Sequence, residues 1–379
     1  MTTFVVAKLA EYEQSEIKSA LDRAGRTCEF FDAAEAATLR METGDTPWGV
    51  IVQPDLHNAD TLVSWIRGQG RLFSVPVIAM VDNPSDHAFG RAHAMGADDV
   101  IVRGDYGGIT RRFANLANLD LSVRPPVTQG SALVVHPGGE QRMLLGRILR
   151  HAGFDIRFED GSAPLSPDVD SGEIPSLCVV QEDARPEKIA GEIHALRQNS
   201  QENRVPMILL GKNEGTLEVR ARTIGDAAVG NEGAPPDHLL FLANELLRSD
   251  LTNLRASARM LHGSLCAFRP AGELHPVYGL TYNVSREGLF VRTLDAPPPG
   301  TSIWFEMRPY GGQQAVHLRG EVSWRCGLHS AGGAAPPGFG MKILAAFCPP
   351  GDLADYHDAY EELRARQNIF AGASSPTVR

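Results

Sequence analysis

Two short patterns in this chain gather groups that can hold an anion. Arg255 and Arg259 stand four residues apart, and further along come Asn283, Ser285 and Gly288 in the spacing N-x-S-x-x-G. A guanidinium is a planar fork that pairs bidentately with phosphate oxygens or a guanine edge and stacks on a base. An amide and a hydroxyl on a polar turn add donors and acceptors. Neither pattern is specific alone. A second arginine pair, Arg67 and Arg71, has the same spacing but is followed by Asn83-Pro84-Ser85-Asp86-His87-Ala88, which ends without glycine. Patterns for catalysis are missing. His136, His238, His262, His275 and His317 lack metal-site spacing, and there is no nucleophile elbow or Walker loop. The chain reads as a binding protein, not an enzyme, with no metal and no cofactor.

The elements that would position these groups begin with an internal repeat. Phe4–Ala7 and Ala132–Val135 read as buried strands, each followed by a helical stretch that stops at Ala-Gly, at 24–25 and at 152–153. Trp48–Gln53 matches Ser176–Gln181, Val75–Met80 matches Val205–Leu210, and Gly96–Asp99 matches Gly225–Ala228. Short runs rich in Val and Ile alternating with helical patterns mark βαβ units around a parallel sheet buried on both faces. The joint is Arg124–Gly130, with two prolines and a glycine; Asp160–Pro175 reads as an exposed loop.

Both units resemble response-regulator receiver domains, but the residues that carry receiver chemistry are replaced. Ala7-Lys8-Leu9 and His136-Pro137 follow the first strands where the family has an acidic pair. Gln53 and Gln181 take the phosphoacceptor positions, Val81 and Gly211 the hydroxyl positions, and Arg103 and the neighbourhood of Asn231 the lysine positions. An amide is no nucleophile toward phosphorus, and nothing neutralises the transferring group. The copies therefore read as pseudo-receivers that act as scaffolds for protein partners. Asp55 and Asp183, each two residues past the glutamine, keep a phosphorylation-controlled alternative open.

After about residue 250 the pattern changes to alternation. Ile303, Phe305 and Met307 alternate with polar neighbours, as do Val316, Leu318, Gly320, Val322 and Trp324. A period of two marks antiparallel strands covered on one face, and a small barrel is the natural closure. Leu353, Tyr356, Tyr360 and Leu363 give residues 352–366 one apolar helical stripe, with a frayed tail expected from Ile369. The arginine pair, the N-x-S-x-x-G turn, Gly300-Thr301, the strand around Trp324 and Gly338–Ile343 follow in the order of a PilZ domain, which this third of the chain resembles. The predicted architecture is α/β plus all-β. Two doubly wound parallel-sheet receiver-like domains, at 1–122 and 130–248, precede a small antiparallel PilZ β-barrel with a C-terminal helix at 250–379.

The resemblance implies the ligand cyclic di-GMP, with Arg255, Arg259, Asn283, Ser285 and Gly288 as its binding residues. Gly288 is expected at positive φ, letting the backbone approach the ligand. The resemblance leaves open a barrel that binds a protein and no nucleotide. Pairing of two copies through the receiver-like units is also open.

The bulk numbers agree. With 379 residues, two or three domains are expected. A net charge of -10 argues against a duplex nucleic-acid binder. Cys28, Cys178, Cys266, Cys326 and Cys348 are scattered, odd in number and free of CxxC spacing, which points to buried reduced thiols. Cys266 and Cys326 read as strand residues facing a core. No secretion signal and no apolar stretch near the ~20 residues of a membrane span are found, so a cytoplasmic location is expected.

Overall fold

The computed structural model describes residues 2–44, 46–72, 74–119, 121, 127–162, 175–197, 205–247, 257–328 and 335–371. The first repeat runs β1 (Thr2–Val6), α1 (Glu11–Arg23), β2 (Thr27–Phe31), α2 (Ala34–Thr43), β3 (Gly49–Val52), α3 (Ala59–Gly68), β4 (Val77–Val81), α4 (Asp86–Ala94), β5 (Asp99–Val102) and α5 (Tyr106–Asn115). Its strands pair in parallel in the order β2-β1-β3-β4-β5. That is the doubly wound order of receiver-like sheets. The central strands are buried because helices cover both faces: Val50, Val52, Val77 and Ala79 pack toward one core, and Val5, Ile51, Ile78 and Ile101 toward the other. Local signals fix the helices. Ser85 accepts from Ala88 N at 3.1 Å to start α4, and Gly25 ends the first helical turn region at φ +71.

The second repeat runs β6 (Ser131–Val135), α6 (Gly139–His151), β7 (Asp155–Glu159), β8 (Leu177–Gln181), α7 (Pro186–Arg197), β9 (Met207–Gly211), α8 (Glu214–Ile224), β10 (Ala227–Asn231) and α9 (His238–Leu247). Its sheet, β10-β9-β8-β6-β7, has the same connectivity. Most of the expected Asp160–Pro175 loop lies outside the described residues.

The last third holds β11 (Met260–Leu261), β12 (Leu265–Pro270), β13 (Val277–Ser285), β14 (Gly288–Arg292), β15 (Ser302–Met307), β16 (Val316–Cys326), β17 (Gly338–Ile343) and α10 (Pro350–Ala371). β13 pairs with β12 on one side and β14 on the other, closing six antiparallel strands into a barrel with β11 as a short addition. Closure removes the exposed edges an open sheet would carry. The interior takes Phe268, Val291, Ile303, Phe305, Leu318, Phe339 and Met341, and Tyr356, Tyr360 and Leu363 of α10 join the same core. The helix continues past 366 to Ala371. The next glycine after the helix is Gly372.

One side chain faces the other way from its expected direction. The alternation predicts Trp324 on the inward row, but it lies 36 % exposed. The register against β17 moves two residues on β16, from Val322 to Trp324, for one on β17, from Met341 to Gly340. That extra residue is a bulge, and it turns Trp324 outward, where its ring packs tilted against Phe290 with centroids 5.0 Å apart.

By its contacts the chain falls into two units: the first repeat with the barrel and most of α10, and the second repeat. Within the first unit, the segment after β14 packs against β5 and α5. Asp99 and Arg112, each 1 % exposed, pair at 2.7 Å. The same Asp99 oxygen accepts from Leu294 N at 2.7 Å, while Arg111 reaches Asp295 at 2.8 Å and Asn115 the Leu294 carbonyl at 2.8 Å. Leu280 and Leu294 are buried in the cores of the first sheet. Removing one partner of such a buried ion pair typically costs about 3–5 kcal/mol, because the other charge is left unmatched. All five cysteines are free thiols; Cys28 is partly exposed and the other four are buried. Burial pushes the Cys266 thiol well above its usual range. Among the described residues no helix is long and apolar enough to cross a membrane.

Candidate ligand site on the barrel

The N-x-S-x-x-G sequence forms the β13–β14 hairpin. Ser285 pairs with Gly288 across a two-residue loop, Arg286-Glu287, and both loop residues are exposed. The Ser285 hydroxyl donates to the Gly288 carbonyl at 3.0 Å. Its hydrogen therefore closes the turn, leaving the oxygen's lone pairs to face outward chemistry. Asn283 sits two residues earlier, 6 % exposed, and its side-chain amide bonds to no other described residue.

Gly288 is not at positive φ. Its reason is close approach: a Cβ there would collide with the Met341 carbonyl oxygen of the paired strand β17. The glycine lets two strands meet, and so fixes the hairpin against the barrel wall.

The arginine motif reaches the same hairpin through β11. Met260 pairs with Val284 and Leu261 with Asn283. Extending that register by one residue sets Arg259 beside Ser285. Arg255 lies outside the described residues.

Helix α10 ties both halves down. The Tyr356 hydroxyl donates to the Ser285 carbonyl at 2.8 Å and lies 3.2 Å from that of Gly288. One turn on, the Tyr360 hydroxyl donates to the Ala258 carbonyl at 2.9 Å. His357 Nε2 is 3.1 Å from the Arg286 carbonyl, and Arg286 pairs with Glu361 at 3.1 Å. Burial drives the Tyr356 phenol far above its usual pKa and raises that of Tyr360, so both remain hydrogen-bond donors. Sequence reasoning used these tyrosines only as an apolar stripe. The i, i+4 spacing was visible; the two carbonyls their hydroxyls reach were not.

The decoy pair behaves differently. Arg67, 1 % exposed, donates to Asp98 at 2.9 Å and to the Gly96 and Val75 carbonyls, a buried brace of the first sheet. Arg71 reaches backbone carbonyls of Met41 and Gly44.

The sheet mouths that hold phosphotransfer chemistry in receivers are occupied otherwise. Arg103 clamps Glu13 with contacts of 2.6 and 2.8 Å and reaches Asp82 at 3.1 Å. Glu13 is held below the usual carboxylate range by that hydrogen bond. Gln53 accepts from Lys8 N at 3.2 Å, and Asp55 pairs with Arg91 at 2.6 Å. In the second repeat Gln181 accepts from Asp183 N at 2.8 Å, and its amide lies 3.3 Å from the Asp183 carboxylate. Asn231 donates to Glu214 at 2.9 Å. Among the described residues no group of three or more His, Cys, Asp or Glu side chains could hold a metal ion.

The architecture is two doubly wound five-stranded parallel sheets and a closed six-stranded antiparallel barrel with a C-terminal helix. Solved structures resemble it in parts. A two-component response-regulator/GGDEF-domain protein aligns over 65% of this chain and 98% of its own, at 16% identity and a TM-score of 0.30. An atypical orphan response regulator, described as having a phosphorylation-independent regulatory mechanism, aligns over 32% of this chain and 98% of its own, at 21% identity and 0.27. The PilZ domain of YcgR from Escherichia coli, solved with c-di-GMP, aligns over 32% and 98%, at 16% identity and 0.24. The chain spans about half, 52%, of the Bacillus subtilis inhibitor of motility, at 15% identity and 0.24. No protein-family model and no curated protein matches the chain.

Proposed function

We propose that the chain is a signal receptor that binds cyclic di-GMP on the barrel, with the receiver-like units serving as non-phosphorylated platforms for protein partners. The observation that supports it most is the β11–β13 register, Met260 with Val284 and Leu261 with Asn283, which runs the arginine segment alongside the N-x-S-x-x-G strand; one residue further, it would set Arg259 beside Ser285. The ligand is a doubly charged ring with two guanines. Arg255 and Arg259 supply forks for its phosphates and for guanine O6 and N7, and their planes can stack on a base. Asn283 supplies an amide from the strand floor, Ser285 an oxygen acceptor, and the hairpin held by Gly288 gives the ring a fixed seat. The reading is of a cytoplasmic receptor and not of an enzyme.

The phosphorylation-controlled reading gains no support from the receiver mouths, where Asp55 forms an exposed ion pair with Arg91 and Arg103 pairs with Glu13. Two copies pairing through these units would show as a doubled mass in light scattering.

Calorimetric titration of the full chain with cyclic di-GMP, cyclic di-AMP and GTP tests the proposal. Saturable binding of cyclic di-GMP, tighter than either competitor, is expected. Equal binding of all three, or none, would leave the barrel as a protein-binding module.

A further inference from the structure

On the opposite wall of the barrel from the β13–β14 hairpin, three strands present one row of side chains outward. The registers β12–β15 and β15–β16 place Arg269, Trp304 and Arg319 side by side. The Arg319 guanidinium lies on the Trp304 ring face, and that of Arg269 is 4.6 Å from its centroid. Trp304 is 49 % exposed even though Ile303 and Phe305, its strand neighbours, are fully in the core. In the next row Ala267 is small, and a groove of about 570 Å³ opens there. Phe347, 71 % exposed on the turn after β17, lines the same groove. A volume of that size lies in the range of small-molecule sites, which combine aromatic walls with a few placed polar groups.

The charges are arranged for an anion. Among the described residues neither Arg269 nor Arg319 has a carboxylate within ion-pair distance; Arg269 donates only to the Glu273 carbonyl, at 3.3 Å. The one carboxylate on the groove, Glu306, faces His317 at 3.6 Å, and His317 is in turn 3.1 Å from Asp352. Two guanidiniums without carboxylate partners, stacked on Trp304, offer forks for a phosphate, and the exposed Phe347 ring offers a face for a base.

We propose that this groove is a second ligand site, taking a small aromatic anion of the nucleoside monophosphate class. Its phosphate pairs with the N–H groups of Arg269 and Arg319 that the Trp304 ring holds in place, and its base lies on the exposed Phe347 ring. The site is separate from the hairpin and does not depend on the cyclic dinucleotide reading.

The test titrates the full chain with guanosine monophosphate, adenosine monophosphate, ribose 5-phosphate and inorganic phosphate, followed by calorimetry and tryptophan fluorescence. A nucleoside monophosphate is expected to bind with saturation and to quench fluorescence. Trp304→Ala and Arg319→Ala are each expected to weaken it about tenfold. Melting temperature and cyclic di-GMP titration of the same variants check that the barrel is intact and that the two sites are distinct. Inorganic phosphate or ribose 5-phosphate binding as tightly as the nucleotide would overturn the aromatic part of the proposal. Undiminished nucleotide binding in both variants, no nucleotide binding at all, or capture of an acidic peptide in place of nucleotide would overturn the site.

Discussion

The Tyr360 hydroxyl donates to the Ala258 carbonyl at 2.9 Å, which fixes the backbone one residue before Arg259 to the C-terminal helix. A turn earlier on the same helix, Tyr356 holds the Ser285 carbonyl at 2.8 Å. One rigid element thereby positions both halves of the candidate site, and the arginine segment enters the hairpin already ordered at its C-terminal end. A preordered segment lowers the entropy lost when ligand binds.

Tyr360→Phe isolates that anchor. It removes one hydrogen bond, worth about 1 kcal/mol, while keeping the ring packed in the barrel core. Cyclic di-GMP affinity is expected to fall roughly fivefold with a small change in melting temperature. An affinity equal to the parent's would show that the helix does not order the arginine segment.

Gly288→Ala acts through the barrel. The added methyl meets the Met341 carbonyl oxygen, which is backbone and cannot turn aside. Overpacking of this kind costs about 1–3 kcal/mol. Denaturant unfolding is expected to show a lowered midpoint, together with weaker ligand binding as the hairpin shifts. An unchanged midpoint would contradict the close approach of β14 and β17.

His93 sets an acid limit on the first repeat. It is 1 % exposed, with Nδ1 3.2 Å from the Ala97 carbonyl. Burial, aided by the Arg292 charge and opposed by Asp98, holds its pKa well below the ordinary 6.5. The ring is neutral in the fold and gains a proton readily only when unfolded. The unfolded chain therefore binds more protons once the pH drops under the ordinary value, so stability is complete above about 6.5 and declines as pH falls below it. Melting temperatures between about pH 7.5 and 5.5 are expected to show that decline, and His93→Gln to flatten it. His136 and His262, also depressed by burial, add to the same slope. An equal slope in parent and variant would remove His93 as a cause.

Incubation with acetyl phosphate and Mg²⁺ is expected to leave the intact mass unchanged. Gln53 and Gln181 offer no carboxylate, and Asp55 is bound to Arg91. A phosphoryl adduct mapped to Asp55 or Asp183 would restore the phosphorylation-controlled reading.

Much of this architecture was legible because its signals are local. The repeated Val/Ile runs became β1, β3 and β4 and their counterparts, since parallel strands buried on both faces leave no polar alternation to confuse them. The alternation of Ile303, Phe305 and Met307 gave the barrel's inner row directly. Trp324 defeated the same reading because a bulge is set by strand pairing, which no window of sequence contains. Gly288 was expected at positive φ, but what requires glycine there is the close approach of β17. The carbonyl it approaches on the paired strand, that of Met341, is more than fifty residues away in the chain, so the collision it avoids could not be read locally. The packing of Thr293–Asp295 against Asp99 and Arg112 was equally hidden, because a buried ion pair looks in sequence like surface charge.

Calorimetric titration of cyclic di-GMP into the parent chain, Arg259→Ala and Arg255→Ala tests the receptor reading most directly. Each arginine that reads a guanine edge or phosphate is worth about 1–3 kcal/mol, so each variant is expected to bind roughly 5–150-fold more weakly at unchanged melting temperature. Affinities equal to the parent's in both variants would contradict the assignment of the ligand to this hairpin.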